Sequence, residues 1–226
     1  MSNTPQMIKA WLGQDTFKER IDQALMGYLP GDAFAEQCIM VARDPKLTKC
    51  SADSLLAAFL QCAQLGLMPG AQKHVILMPR GGQVDVMITA RGFKALMERL
   101  PDVSRIKVEL VHKRDTFEVC DDRHDDGRPL HKFDPFDPER LFNGPDDLAG
   151  GYMQATFADG SRDWFFVSAK VIDDCKRCAK DWQRPHSPWQ KWFGAMAVKT
   201  IYRQAWARMF LPMGDSTTGR QIEAAD

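Results

Sequence analysis

The stretch HVILMPRGGQVDVMITARGFKALMERL, residues 74–100, decides the fold class because its patterning changes from strand to helix. Two apolar runs, HVILMPR and QVDVMITA, meet at Gly81 and Gly82, and a glycine pair in that position predicts an antiparallel hairpin. Residues 91–100 then predict a short helix that ends before Pro101. Strands that pair locally and lead directly into a helix indicate an α+β protein.

Upstream of this hairpin, the pattern predicts helices. Apolar residues recur at helical spacing in residues 15–29 and 32–43, and Pro30 with Gly31 separates the two segments. Ser51 then caps a third helix, SADSLLAAFLQCAQLGL. We therefore expect the chain to open with helices.

Downstream, the sequence predicts more strands and then two helices. RIKVELVHKRDTFEV alternates as strands with one wet face do, and Asp159 with Gly160 marks a second hairpin. The predicted elements are strands within 103–119, a long loop over 120–149, hairpin strands at 151–157 and 162–167, a helix from Ser168 to about Trp182, and a helix over 189–209. The prediction is one α+β domain, residues 1–226, with N-terminal helices, a central and mostly antiparallel sheet, and C-terminal basic helices.

Composition is typical of a globular protein. Of the 226 residues, 44% are hydrophobic, which suffices for a substantial core. No uncharged apolar run of about 18 residues could span a bilayer, and MSNTPQMIKAWLGQD lacks the order of a signal peptide, so we expect a cytoplasmic protein. The cysteines are mostly single, which favours reduced thiols, and the one close pair, Cys175 and Cys178, supplies too few ligands for zinc.

Charge is segregated along the chain, although 30 basic and 30 acidic residues give a net charge of zero. Lys and Arg outnumber Asp and Glu by nine to four in residues 73–114 and by nine to three in residues 170–208. Acids lead by nine to four in residues 121–147. Two basic segments on either side of an acidic one can create a local positive field on a neutral protein.

The last predicted helix, WQKWFGAMAVKTIYRQAWARM, places cations among large aromatic residues and contains no acid. It has two interpretations that the residues alone leave open. One is a core face whose Lys and Arg stems cover apolar surface. The other is a nucleic-acid face whose cations meet phosphates and whose rings stack on bases. On a helical wheel, one narrow stripe holds Trp192, Met196, Lys199, Arg203, Trp206 and Phe210.

Three stretches, taken together, match the motifs of one known family. QCAQLGLMPG at 61–70 matches a helix ending in QxGLxPG, and VILMPR with VDVMITARGF at 75–93 matches a hairpin ending in Arg-Gly. WQKWFGAMAVKTIYR at 189–203 matches a helix with Trp, Met, Lys-Thr and Arg. In order and spacing they resemble the RecT-type phage recombinases, which anneal single-stranded DNA. The departures from the family pattern, which bear on the number of phosphate contacts, are Ala90, Val198 and Gln204.

The resemblance implies ATP-independent binding of single-stranded DNA and annealing of complementary strands in phage-type homologous recombination. Annealing makes no covalent bond, so we do not expect an enzyme. The implied partners are single-stranded DNA, the annealed duplex, further copies in a ring or helical filament, and a phage exonuclease or host single-strand-binding protein. No cofactor is expected, and Mg²⁺ would modulate annealing by screening the two backbones. Residues 1–50 would make subunit contacts, 51–213 would form the DNA-binding core, and 214–226 would be a short polar tail.

The resemblance also implies an Arg- and Lys-lined DNA groove between the hairpin and the last helices. We expect Lys199 and Arg203 to neutralise adjacent phosphates and Thr200 to donate a hydroxyl hydrogen bond to one. We expect Trp189 to support the groove in preference to stacking on a base. The predicted DNA-binding residues are Lys73, Arg80, Arg91, Lys94, Lys176, Lys180, Trp189, Lys191, Lys199, Thr200 and Arg203.

Weaker interpretations concern other residues. GAMAVKT at 194–200 resembles a phosphate-binding loop, but Val198 replaces the second glycine and no strand precedes it. Lys176 and Lys180, an i, i+4 pair on the preceding helix, are second-rank DNA contacts or equally a solvated surface. A non-nucleic-acid interaction scaffold is a further alternative. So is a metal-dependent nuclease built on Asp121, Asp122, Asp125 and Asp126, for which a solvated loop is the simpler account. The histidines predicted to be surface or loop residues are His112, His124, His131 and His186.

Overall fold

The computed structural model describes residues 6, 10, 11, 14–70, 72–119, 128–138, 140 and 144–210. The described residues fall into two compact units, one ending at Ala95 and the other beginning at Leu96. The prediction of one domain stays a prediction. The predicted features outside the described residues are the acidic cluster Asp121, Asp122, Asp125 and Asp126, His124, and the tail 214–226.

The first unit contains helices and one hairpin. Helix α3 begins as predicted, because Ser51 Oγ accepts a hydrogen bond from the Ser54 N–H at 3.2 Å. The core of this unit includes Phe34, Leu55 and Phe59, which are completely buried. Its elements are α1 (Asp15–Leu25), α2 (Gly31–Val41), a short 3-10 helix (Leu47–Lys49), α3 (Ala52–Gln64), β1 (Val75–Arg80), β2 (Gln83–Ile88) and the start of α4 (Ala90–Met97).

The structure confirms the hairpin predicted at Gly81 and Gly82. Strands β1 and β2 pair antiparallel, with Arg80 opposite Gln83 beside the turn. Gly81 and Gly82 have φ angles of 57° and 81°, a region that glycine adopts without steric cost. The glycine pair therefore sets both the turn and the register of the hairpin.

The second unit is built around a three-stranded antiparallel sheet. The strand order is β3–β6–β7, and a separate hairpin pairs β4 with β5. Helix α7 packs on all three strands of the sheet. The α+β class is confirmed. The elements are β3 (Val103–His112), β4 (Thr116–Val119), β5 (Pro129–Lys132), β6 (Leu148–Phe157), β7 (Arg162–Ser168), α5 (Ala169–Cys178), α6 (Pro188–Lys191), α7 (Phe193–Ala205) and a π-helical turn (Trp206–Phe210).

Two strand predictions need correction. The strands of the described residues form three separate antiparallel sheets instead of one central sheet. The predicted loop over residues 120–149 contains strand β5, and its end belongs to β6, which begins at Leu148. Strand β5 reads PLHK, which carries little β propensity of its own. Its Pro129 is tolerated because it stands at the first residue of the strand.

The predicted helices are also shorter than expected. Helix α1 stops at Leu25 because Met26 takes a left-handed conformation with φ 48°. Helix α5 ends at Cys178, well before Trp182. The last helix is interrupted at Trp192, where φ is −138° and ψ is 53°, so α6 and α7 are separate.

Candidate nucleic-acid interface

Helix α7 packs on the sheet at Gly151, a position of strand β6 that has no side chain. A Cβ atom at Gly151 would lie 2.5 Å from Ile201 Cδ1 and 2.7 Å from the Glu109 carbonyl oxygen. Ala197, Ile201 and Ala205 of α7 are completely buried. Small residues on both sides thus allow a close approach, and this contact fixes which face of α7 turns outward.

The predicted cation and aromatic stripe divides into an outward and an inward part. Trp192 is 62% exposed, Arg203 is exposed and Lys199 is half-buried. Trp206 and Phe210 are buried and stack on each other, with ring centroids 6.2 Å apart. The single stripe is therefore wrong from Trp206 onward. A π-helical turn, Trp206–Phe210, begins at this point of the stripe, and a wheel of constant period does not represent it.

Thr200 lies on the buried side of α7, only 7% exposed. Its hydroxyl donates a hydrogen bond to the Met196 carbonyl oxygen at 2.9 Å. A phosphate contact by this hydroxyl would require release of that bond and exposure of the side chain. The predicted phosphate contact of Thr200 stays a prediction with that condition attached.

The cations of α5 are matched by an acid of the same helix. Lys176 Nζ lies 2.5 Å from Asp173 Oδ1 and 4.9 Å from the Trp182 ring centre, and its side chain is buried. Arg177 Nε lies 2.7 Å from Asp173 Oδ2. Lys180 is exposed beyond the end of α5, so the predicted pair of lysines on one helix is wrong. A DNA contact by Lys176 would require its release from Asp173.

The stretch from 182 to 210 contrasts with α5 because it contains no acidic residue. Lys191 and Arg208 are exposed, and they make no ion pair within the part of the chain that the structure describes. Arg184 pairs with Asp181, just outside this stretch, at 3.0 Å. The cations of the stretch are Arg184, Lys191, Lys199, Arg203 and Arg208.

Two tryptophans at the start of this region have opposite environments. Trp189 is 7% exposed and packs on Phe193, with ring centroids 6.1 Å apart. That burial is what the predicted supporting role of Trp189 requires. Trp192 is the exposed aromatic residue that the sequence prediction missed as a site residue. The helical wheel groups Trp192 with Lys199 and Arg203, and the structure places its exposed ring at the break between α6 and α7.

Four predicted cations belong to the first unit. Lys73 is exposed and has a left-handed φ of 55°. Arg80 pairs with Asp85 at 3.3 Å, and both side chains are largely exposed. Arg91 is exposed on the first turn of α4, and Lys94 is half-buried one turn later. The predicted groove would combine cations of both units, and it stays a prediction.

Steric contact explains why glycine follows Arg91 at the start of α4. A Cβ atom at Gly92 would overlap the His74 carbonyl oxygen. The same carbonyl accepts hydrogen bonds from the Thr89 N–H at 2.9 Å and from Thr89 Oγ1 at 3.0 Å. Glycine therefore lets α4 begin against the hairpin, which places Arg91 beside the strands.

Comparison with known proteins agrees with this arrangement of motifs. A family model described as the RecT family matches residues 32–225. The chain belongs to the RecT family. Protein RecT of Escherichia coli (strain K12) is 26% identical over 209 residues, which cover 86% of this chain and 72% of that protein. The resemblance inferred from the three motifs is confirmed, and membership in the RecT family supports a role in recombination and annealing.

In this RecT-family chain, the stretch that resembles a phosphate-binding loop is helical. GAMAVKT at residues 194–200 lies entirely within α7. From Met196 onward the backbone N–H groups donate to carbonyl groups of the preceding turn, so the amides next to Lys199 and Thr200 do not form a cradle for phosphate. The similarity to such a loop is therefore one of sequence and not of structure.

Two histidine predictions are wrong. His112 lies in β3, is 3% exposed, and has Nδ1 2.9 Å from Asp147 Oδ2. His131 lies in β5, with its side chain 4% exposed and Nε2 2.8 Å from Asp115 Oδ2. Both side chains are buried with a carboxylate partner, which sequence spacing does not reveal because the partners are distant in sequence or in another element. His186 is exposed in a turn, as predicted.

Other predicted features of this RecT-family chain can also be located. Cys175 is half-buried and accepts a hydrogen bond from Gln204 Nε2 at 3.6 Å, whereas Cys178 is exposed. Over the described ranges, no three His, Cys, Asp or Glu side chains are grouped so that they could hold a metal ion. None of the helices that the structure describes has the length and apolar character needed to cross a membrane.

Proposed function

We propose that the chain binds single-stranded DNA and anneals complementary strands without ATP, with the outward face of α7 holding the first strand. The observation that carries this proposal is the position of Lys199 and Arg203. Both lie on the side of α7 that faces away from the sheet, within a stretch that has no acid of its own. Four residues of helix separate them by about 6 Å along the axis, so one strand backbone can meet both.

The proposed surface holds the strand by its phosphates. Lysine and arginine recognise charge and not base edges, so binding is independent of sequence, and base pairing itself supplies specificity. The bases stay accessible to a second strand. Trp192, with 62% of its surface exposed, offers a ring on which one base can stack at the start of α7.

The proposed reaction makes and breaks no covalent bond. The helical state of residues 194–200 supports a mechanism without ATP, because their amide groups form the helix and not a phosphate loop. Mg²⁺ modulates annealing in this proposal by screening the repulsion between the two strands. The ion acts in solution and needs no protein ligand.

We further propose assembly into a ring or helical filament through residues 1–50, which carries the strand from one copy to the next. Exposed apolar side chains in this segment, at Met26, Tyr28 and Met40, support it, since such groups favour contact with another protein surface. A phage exonuclease or a host single-strand-binding protein in the bacterial cytoplasm would complete the system. Light scattering with and without complementary strands tests assembly, and Met40→Lys should reduce particle size.

The annealing proposal is tested with two dye-labelled complementary oligonucleotides at fixed Mg²⁺. We expect the wild-type chain to accelerate pairing without ATP and to leave both strands at full length. The double variant Lys199→Ala, Arg203→Ala should lose most of this acceleration. The matched control is Lys170→Ala, which removes an exposed lysine that Asp174 neutralises at 2.8 Å.

Two outcomes would count against the proposal. Acceleration that appears only when ATP is present would contradict the ATP-independent mechanism. Shortened strands in the presence of Mg²⁺ or Mn²⁺ would favour a nuclease, because annealing leaves every phosphodiester bond intact.

A further inference from the structure

The sheet of the second unit has another functional face, opposite to the one that seats α7. Gly151 faces α7, so the alternation of side chains along β6 directs Tyr152 and Gln154 to the other face. Lys107 and Trp164 stand opposite Gln154 on the two neighbouring strands and share that face. A cavity of about 610 Å³ lies there, within the range of roughly 300–1,000 Å³ typical of small-ligand sites. This sheet pocket is walled by Lys107, Arg128, Phe133, Tyr152, Gln154 and Trp164.

The aromatic walls of the sheet pocket include a ring that is available for stacking. Trp164 is half-buried, and its indole contacts no other aromatic ring in the described part of the chain. Phe133 is 38% exposed, and Arg140 covers it with Cζ 3.5 Å from the ring centre. A large ring that lines a cavity without a ring partner suits a flat aromatic ligand.

The polar groups of the sheet pocket favour a ligand with one anionic group. Lys107 Nζ lies 2.9 Å from Glu109 Oε1, so these two charges cancel. Arg128 is exposed at the mouth and makes no ion pair with any residue that the structure describes. Gln154 adds an amide that can both donate and accept hydrogen bonds. The pocket therefore combines one cation that has no ion pair among the described residues with a group able to pair with the edge of a base.

The floor of the sheet pocket is held in place by a buried polar network. Asp115 accepts hydrogen bonds from Arg140 Nε at 3.1 Å, from the His112 N–H at 2.9 Å and from His131 Nε2 at 2.8 Å. Burial opposes ionisation, but these bonds outweigh it and keep the pKa of Asp115 below its usual range. Because the ionised Asp115 can only accept, Nε2 of His131 carries a hydrogen, and Nδ1 of the same ring lies 3.3 Å from the Tyr152 hydroxyl oxygen. Burial, together with the Glu109 carboxylate, raises the pKa of Tyr152, so its hydroxyl stays protonated at neutral pH.

We propose that the sheet pocket binds one unpaired nucleotide, with the base stacked on Trp164, its edge hydrogen-bonded to Gln154 and its phosphate beside Arg128. A base within a duplex cannot enter, because its faces are stacked and its pairing edge is occupied. Two sources carry this chemistry: a free nucleoside monophosphate and a nucleotide within a single strand. The pocket lies across the sheet from α7, so its function does not depend on α7 holding a strand.

Calorimetric titration of the full chain tests the sheet pocket. The probes are deoxynucleoside monophosphates and a short single-stranded oligonucleotide, and the variants are Trp164→Ala and Arg128→Gln. Phe136→Ala is the matched control, because Phe136 is 86% exposed and does not line the pocket. Arg128→Gln changes an exposed side chain, so it tests the pocket even if Trp164→Ala impairs folding, which circular dichroism would reveal.

We expect saturable binding of monophosphates, weakened roughly tenfold by Trp164→Ala through the loss of one base stack and more modestly by Arg128→Gln. That result would identify free nucleotides as a source. If the wild type binds no monophosphate but both pocket variants lower oligonucleotide affinity relative to Phe136→Ala, the source is a nucleotide within a strand. The proposal is overturned if the wild type binds no monophosphate and both variants keep the oligonucleotide affinity of the control.

Discussion

Helices α5 and α7 are both basic and pack on the same sheet, yet only α5 carries acidic residues among its own cations. In α5, Asp173 forms ion pairs with both Lys176 and Arg177, and Asp174 forms one with Lys170. In α7, Lys199 and Arg203 occupy a stretch without a single acid. The count of basic residues along the sequence is therefore a poor measure of the charge offered to a partner, because acids one helical turn away can cancel it.

The largest expected effect comes from removing Trp189, the buried ring that supports the start of α7. Trp189→Ala should lower the free energy of unfolding by about 3–5 kcal/mol, because it deletes a buried ring. Trp192→Ala is the matched control: it removes an exposed ring, so stability should change little while single-strand affinity falls. Denaturant unfolding of both variants checks this, and equal losses of stability would contradict the assigned environments.

The seat of α7 offers a second way to disturb that helix while leaving its cations unchanged. Gly151→Ala should cost about 1–3 kcal/mol of stability, because the new methyl group overlaps Ile201 and the backbone of β3. Gly144→Ala serves as control, since a Cβ atom there meets nothing within 4 Å. Thermal unfolding of the two variants should differ clearly. A wild-type midpoint for Gly151→Ala would show that α7 is not seated as described.

Substitution of Lys176 tests whether the paired cations of α5 contribute to DNA binding. Lys176→Ala should lower stability by about 1 kcal/mol, a central value for point substitutions, because it removes a buried stem and the ion pair with Asp173. It should leave the salt dependence of DNA binding unchanged, since its ammonium group is buried and held by Asp173. Filter binding across a series of salt concentrations measures this. A flatter slope would restore Lys176 to the set of phosphate contacts.

Lowering the pH should have a smaller effect on stability, through the loss of the ion pair between Asp173 and Lys176. The hydrogen bond from Lys176, with the nearby Arg177 charge, holds the pKa of Asp173 below its usual range. A depressed folded-state pKa means that the stabilisation is complete above about pH 3.9 and is lost as pH falls through the folded value. The thermal midpoint of the wild type should therefore fall more steeply below about pH 4 than that of Asp173→Asn. Parallel curves would show that this pair contributes nothing to stability.

The parts of the fold that sequence predicts well are those with local causes. Gly81 and Gly82 determine a turn by themselves, and Ser51 and Ser168 cap helices by accepting hydrogen bonds from nearby N–H groups. The family match also rested on local motifs. Such features depend on neighbours a few residues away, which a single sequence contains.

The parts that failed depend on distant contacts. Strand β5 exists because β4 pairs with it, and its own residues give little sign of a strand. The burial of Thr200 follows from the seat of α7 on the sheet, which depends on Gly151 far away in sequence.

The central claim is that the outward cations of α7 hold a single strand by its phosphates. The most direct test is the dependence of single-strand affinity on salt concentration for Arg203→Ala, Lys199→Ala and the control Lys170→Ala. Each α7 variant should weaken binding equally for all sequences and reduce the magnitude of the logarithmic salt slope by roughly 0.7, while the control keeps the wild-type slope. Wild-type affinity and slope in both α7 variants would contradict the claim.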